Sequence, residues 1–228
     1  MNVSQHCRWH PQAGPAELKQ YALSAIRQAA EQSIRQRGSF HLVLAGGSTP
    51  RQVYAELHNT ETDWSRWHIY FGDERCLPPE HAERNSRMAA EAWLDHVAIP
   101  AAQVHNIPAE HGAAAAAAEY AAILSDANTF DLVLLGLGED GHTASLFPDR
   151  VWGAETTAPA ALPVFDAPKP PPERVTLSAH RLSAARQVLF LVSGASKRDA
   201  LQAWMRGDAI PAGAIAPPNG VDVVYNLN

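Results

Sequence analysis

Lysine is scarce in this sequence. Only Lys19, Lys169 and Lys197 occur among 228 residues, and arginine supplies 15 of the 18 basic side chains. Against them stand 24 acidic residues, giving a formal net charge of −6. Nucleic-acid binders usually carry a basic footprint, so a polyanion is not the expected partner. The six tryptophans do not pair with basic patches, which also argues against a base-stacking surface. Cysteine is limited to Cys7 and Cys76, far apart and without a CxxC spacing. A reducing cytoplasm is the expected setting. No apolar run approaches the roughly 20 residues needed to cross a bilayer, so no membrane partner is expected. The N-terminal MNVSQHCRWHPQ lacks the basic-then-apolar order of a signal peptide. GxxxxGK[ST] and HExxH are missing, the turn at Gly46–Thr49 does not read GxGxxG, and no metal is expected.

What remains has an ordinary globular balance, 46% hydrophobic and 18% charged. The length suits one domain over residues 1–228 with a sizeable core. Residues 16–37 read as an amphipathic helix stopped by Gly38. Short apolar runs at His41–Ala45, Trp67–Phe71, Asp131–Leu135, Val175–Ser178, Val188–Val192 and Val221–Tyr225 read as strands. Helices are expected at Arg51–Leu57, introduced by Ser48 as cap and Pro50 at a first helical position, and at Asn85–Leu94, Ala113–Leu124 and Lys197–Met205. The alternation indicates an α/β fold, a three-layer α/β/α sandwich around a mainly parallel, Rossmann-like sheet. The proline-rich stretch Ala158–Pro172 is expected to wrap one face as a loop.

Ligands of open parallel sheets bind beyond the C-terminal strand ends. Four such ends carry polar residues: Gly46–Thr49, Asp73–Arg75, Gly136–His142 and Ser193–Lys197. Gly46, Gly47, Ser48 and Thr49 read either as an anion cradle or as a capped turn; the cradle would use free backbone N–H groups and the positive end of a helix dipole. His142 follows three glycines in a tight loop, and Asp140 beside it can hold a neutral, base-competent imidazole. The bland alternative is one more surface histidine among eleven. Arg75 suits an anionic ligand or an internal ion pair with Asp73 or Glu74. Lys197 opens a helix, where a cation opposes the dipole; it marks either a phosphate or a solvated surface.

Three segments resemble the 6-phosphogluconolactonase family: LAGGSTP at 44–50, GDERC at 72–76 with ERNS at 83–86, and GLGEDGHTASLFP at 136–148. PERVTL at 172–177 and VSGASK at 192–197 resemble its later motifs, in the right order. The resemblance covers essentially the whole chain. It implies the sandwich fold shared with glucosamine-6-phosphate deaminases and ribose-5-phosphate isomerases. It also implies hydrolysis of a sugar-phosphate lactone, 6-phospho-D-glucono-1,5-lactone, without metal or organic cofactor. His142 is then the base on a water, Asp140 its orienting group, and Arg75 the partner of developing charge. Gly46–Thr49, Lys197 and Arg174 hold the phosphate, and Asp73 and Asn85 contact substrate. A serine-hydrolase route through Ser48 or Ser145 is disfavoured because GxSxG is missing at both. The rival readings are an isomerase or deaminase of the same fold and a non-catalytic sugar-phosphate sensor. A monomer or weak homo-oligomer is expected.

Overall fold

The computed structural model describes residues 5–126 and 129–228. Residues 1–4, the start of the stretch read above for a signal peptide, lie outside the described residues. Seven strands form one sheet: β1 (Cys7–Pro11), β2 (Phe40–Leu44), β3 (Trp67–Phe71), β5 (Val104–His105), β6 (Phe130–Gly136), β9 (Ala185–Ser193) and β10 (Val221–Asn226). Their spatial order is β1-β10-β9-β6-β2-β3-β5, and every pair is parallel. The strands at the centre are apolar because both faces are covered; six of the seven residues of β6 are buried.

Helices lie on both sides of this sheet. α1 (Pro15–Arg37), α2 (Ser48–Leu57) and α3 (Asn85–Ala92) pack side by side. α1 buries Leu18, Ala22, Leu23 and Ile26 at helical spacing. It ends where the glycine at 38 turns left-handed (φ 83°) and donates its N–H to the Ile34 carbonyl. α4 (Ala113–Ile123) is alanine-rich, so its backbone can approach its neighbours closely. Its Tyr120 hydroxyl donates to the Phe71 carbonyl and accepts from the Phe71 N–H, which ties the helix to β3. α5 (Ala179–Ser183) and α6 (Arg198–Met205) complete the set.

Three expectations are corrected. Val175–Ser178, expected as a strand, is one, but it lies outside the parallel sheet. It corresponds to β8 (Arg174–Leu177), the centre of a second, antiparallel sheet of three strands. β4 is Asp73–Arg75, expected to be a strand end, and β7 is Ala161–Val164, inside the proline-rich stretch expected to be a loop. Pro163 is tolerated there because β7 is an edge strand. Ser48 is not a cap: Gly47 occupies that position, no side chain caps α2, and Pro50 is its third residue.

The chain leaves β2 toward β3 on one side and leaves β6 toward β9 on the other. A crevice therefore opens between β2 and β6, where the winding reverses, at the C-terminal edge of the sheet.

Candidate active site

A cleft of about 380 Å³ occupies this crevice. That volume lies within the range typical of small-molecule sites. Of the eleven residues expected at a site, ten line it: Gly46, Gly47, Ser48, Thr49, Asp73, Arg75, Asn85, His142, Arg174 and Lys197. Asp140 backs His142. The two lysines and two arginines around the cleft make it locally cationic, despite the chain's net charge of −6.

His142 is held from three directions. Its Nδ1 lies 2.5 Å from Asp140 Oδ1, and its own N–H donates to the same oxygen at 3.2 Å. Its ring lies 4.9 Å from the Phe147 ring, centroid to centroid. The loop is closed by Gly138 N–H donating to the His142 carbonyl and by Thr143 Oγ1 donating to the Gly136 carbonyl. Burial pushes the imidazole pKa below its ordinary value, and Lys169 adds to that; Asp140 and Asp73 oppose it. Burial also acts on Asp140, but its bonds with His142 outweigh it and hold the carboxyl below its ordinary range. An ionised carboxylate only accepts, so Nδ1 carries the proton and Nε2 keeps a lone pair. This is a neutral base in a fixed orientation.

Gly138 makes the pair sterically possible. A Cβ there would fall 1.9 Å from His142 Nδ1 and 2.5 Å from Asp140 Oδ1. At the opposite motif, a Cβ at Gly46 would fall 2.1 Å from Asn85 Oδ1. The glycine thus lets the turn before α2 close over the start of α3. With no side-chain cap, the first N–H groups of α2 remain available to an anion.

The small sheet brings distant motifs together. Asp73 pairs with Thr176, Glu74 with Val175, and Arg75 with Arg174. Asp73 is 6% exposed; its Oδ1 accepts from Asn85 Nδ2 at 3.0 Å and its Oδ2 from Ser145 Oγ at 2.6 Å. Ser145 is itself buried, so its hydroxyl braces Asp73 and is not presented as a nucleophile. Asn85 spends both its amide bonds on Asp73, leaving Oδ1 against Gly46. Arg75 does not form the side-chain ion pair with Asp73 or Glu74 that was the alternative. Its backbone N–H donates to Glu74 Oε1, while its guanidinium donates to the Glu83 carbonyl. Glu74, 1% exposed, caps α3 by accepting from the N–H groups of Asn85 and Ser86 and from Ser86 Oγ, and it faces Arg84 at 3.4 Å. Arg174 lines the cleft, but its Nε and Nη2 are bonded to the carbonyls of Lys169, Pro170 and Pro171.

Lys169 also lines the cleft, and sequence reasoning missed it. Its only sequence signal was the rarity of lysine. Among the described residues, no group of three or more His, Cys, Asp or Glu is placed to hold a metal ion. No described helix is long and apolar enough to cross a membrane.

Comparison with known proteins follows the same lines. The sequence profile described as glucosamine-6-phosphate isomerases/6-phosphogluconolactonase matches residues 13–224. A 6-phosphogluconolactonase of Mycobacterium leprae is 40% identical over 82% of this chain and 80% of its own length. One of a Nostoc species is 37% identical over 79% of this chain and 77% of its own. The crystal structure of the 6-phosphogluconolactonase of Thermotoga maritima superposes with a TM-score of 0.89 at 26% identity, covering 96% of this chain and 99% of that one.

Proposed function

Since the chain belongs to the glucosamine-6-phosphate isomerase/6-phosphogluconolactonase family, we propose that its cleft performs lactone hydrolysis through water activated at His142. The reaction is that of its lactonase relatives, conversion of 6-phospho-D-glucono-1,5-lactone to 6-phosphogluconate in the pentose phosphate pathway. The observation that carries the mechanism is the His142–Asp140 pair, 2.5 Å apart, at the cleft between β2 and β6.

Nε2 of His142 takes a proton from water as the water oxygen bonds to the lactone carbonyl carbon. The carbonyl pair moves onto oxygen, and Arg75 faces that developing charge. The carbon–ring oxygen bond then breaks, and the imidazolium returns the proton to the departing ring oxygen, which becomes the C5 hydroxyl. A positioned base of this kind contributes about 10²–10⁴ in rate. The 6-phosphate lies at the N-terminus of α2, over Gly46–Thr49, with Lys197 as its counter-charge. Asp73, braced by Ser145 and Asn85, accepts from substrate hydroxyls. All of this is done by one domain. The free thiols of Cys7 and Cys76 suit a cytoplasmic location.

The lactone also opens spontaneously, so the assay subtracts a buffer blank. Freshly generated lactone is supplied to purified protein, and 6-phosphogluconate is read through its dehydrogenase. Wild-type protein should exceed the blank, and His142→Ala should lose most of the difference. Full activity in that variant would remove His142 from the chemistry.

A further inference from the structure

The loop after β7 delivers one of the three lysines to the cleft and is fastened there. Arg174, 6% exposed, donates Nη2 to the carbonyls of Lys169 (2.9 Å) and Pro170 (3.1 Å), and Nε to that of Pro171 (3.1 Å). The loop base is closed by Ala167 N–H donating to the Pro172 carbonyl. Pro170, Pro171 and Pro172 have φ fixed by their rings and no N–H, so this stretch offers its carbonyls without competing donors. The same guanidinium sits 5.6 Å from the centroid of Phe147, and that ring packs on His142. One aromatic ring therefore spaces the base from the clamp of the lysine loop. Among the described residues, the Lys169 ammonium has no hydrogen bond or ion pair.

We propose that Lys169 is a second cation at the reacting end of the cleft, joining Arg75 in facing the lactone carbonyl oxygen as it becomes anionic, and that Arg174 is the positioning residue that holds it there. This rests on the lactonase reading above. Two observations separate Lys169 from the phosphate grip. The phosphate end already has its own elements, the uncapped N-terminus of α2 and Lys197. The loop that carries Lys169 is bound by the guanidinium that sits 5.6 Å from the Phe147 ring, and that ring packs on His142, so the lysine belongs to the end of the cleft that holds the base; its charge joins burial in opposing the imidazolium. The ammonium gives up no proton. It attracts the carbonyl oxygen more strongly once the water oxygen has bonded to carbon, and it also keeps Nε2 free to accept. Arg174 acts through this loop, since two of its three nitrogens are spent on carbonyls.

The test compares variants in the blank-corrected lactone assay, with inorganic phosphate as a competitive inhibitor. Removing an oxyanion donor from an enclosed site costs roughly 10²–10³ in kcat; Lys169 is exposed at the cleft rim, so Lys169→Ala should lose about 10- to 100-fold. Its inhibition constant for phosphate should stay within about twofold of wild type, and Lys169→Arg should recover most of the rate. The acid limb of its pH–rate profile should move to higher pH, because the imidazolium loses a repelling neighbour. Lys197→Ala should instead weaken phosphate inhibition. Arg174→Lys keeps charge and most of the volume but cannot span three carbonyls. It should lower kcat in wild-type background and change it less than about threefold in the Lys169→Ala background. An unchanged kcat in Lys169→Ala, or phosphate inhibition weakened in step with its loss of kcat/KM, overturns the proposal. An equal effect of Arg174→Lys in both backgrounds removes the positioning role. Wild-type protein no faster than the blank would sink the lactonase reading itself.

Discussion

Adding one methyl group at Gly138 should disable the base while leaving the phosphate end intact. The new Cβ would fall 1.9 Å from His142 Nδ1, 2.2 Å from its Cε1 and 2.5 Å from Asp140 Oδ1. Non-bonded heavy atoms settle near 3.5–4.0 Å, so the ring must retreat by roughly 1.5 Å or more. That displacement breaks the 2.5 Å contact that fixes the tautomer. A misplacement of about 1 Å already costs on the order of 10²-fold, and complete loss of a general base about 10²–10⁴. Gly138→Ala should therefore lower kcat by about 10²–10⁴, some 2.7–5.5 kcal/mol of transition-state stabilisation. KM should change little, because Gly46–Thr49 and Lys197 belong to other strand ends. The backbone at Gly138 is not left-handed, and the ring retains 18% exposure and a path outward. Overpacking should cost only about 1–3 kcal/mol, a few degrees of melting temperature at this chain length. Gly213→Ala is the control, since its Cβ would meet nothing closer than 3.9 Å. The blank-corrected coupled assay and a thermal melt on each variant decide the matter. Gly138→Ala with more than a tenth of wild-type kcat and a normal melt would refute the claim that this glycine clears space for the catalytic pair.

Further outcomes follow from the same contacts. The base works only when neutral, and burial lowers the His142 pKa, so kcat/KM should hold level through neutral pH and fall only below the ordinary histidine range. Asp140→Asn removes the strongest partner favouring imidazolium, so a pH–rate profile should show its acid limb at lower pH together with a reduced plateau. Lys197→Ala should raise KM roughly 10- to 150-fold with kcat nearly constant, the worth of a charge-assisted bond of about 1.5–3 kcal/mol, as measured by steady-state kinetics. Glu74→Gln should destabilise by about 1–3 kcal/mol in urea titration, because Arg84, 3% exposed, loses one charged neighbour but keeps Glu110 at 2.7 Å. His41, His68 and His105 stack in a row across β2, β3 and β5, and burial lowers all three pKa values below 6.5. These half-buried histidines are kept neutral by the fold and must charge as pH falls below the unfolded value, so the melting temperature should decline as pH drops through about 6.5. His68→Gln should make that decline shallower; an identical slope would refute the linkage.

The central strands were legible because a sheet covered on both faces needs unbroken apolar runs, and Leu132–Leu135 and Val188–Val192 supply them. β1, CRWHP, carries no such run. It is an edge strand that is only half-buried, and only its register against β10 defines it. The small sheet was illegible for a different reason. Asp73–Arg75 meets Arg174–Leu177 across about a hundred residues, and neither segment's pattern states the direction of pairing. The strand-end residues were nonetheless found, because a parallel sheet sends every C-terminal end to one edge whatever the strand order. Lys169 lies on no strand end; its place is set by the Arg174 clamp, which local sequence does not encode. The contrast between the two kinds of cation then acquires a physical meaning. Arginine's planar fork can satisfy several acceptors at once, and Arg8, Arg37, Arg84 and Arg174 do so with carboxylates and carbonyls of this chain. Lysine is a mobile point charge. Lys19 is paired with Glu56 at 2.6 Å, whereas Lys169 and Lys197 line the cleft without an ion pair among the described residues. Arginine thus serves largely as the structural cation here. Two of only three lysines remain unpaired where a small anionic ligand must be attracted, and a chain of net charge −6 can therefore bind one.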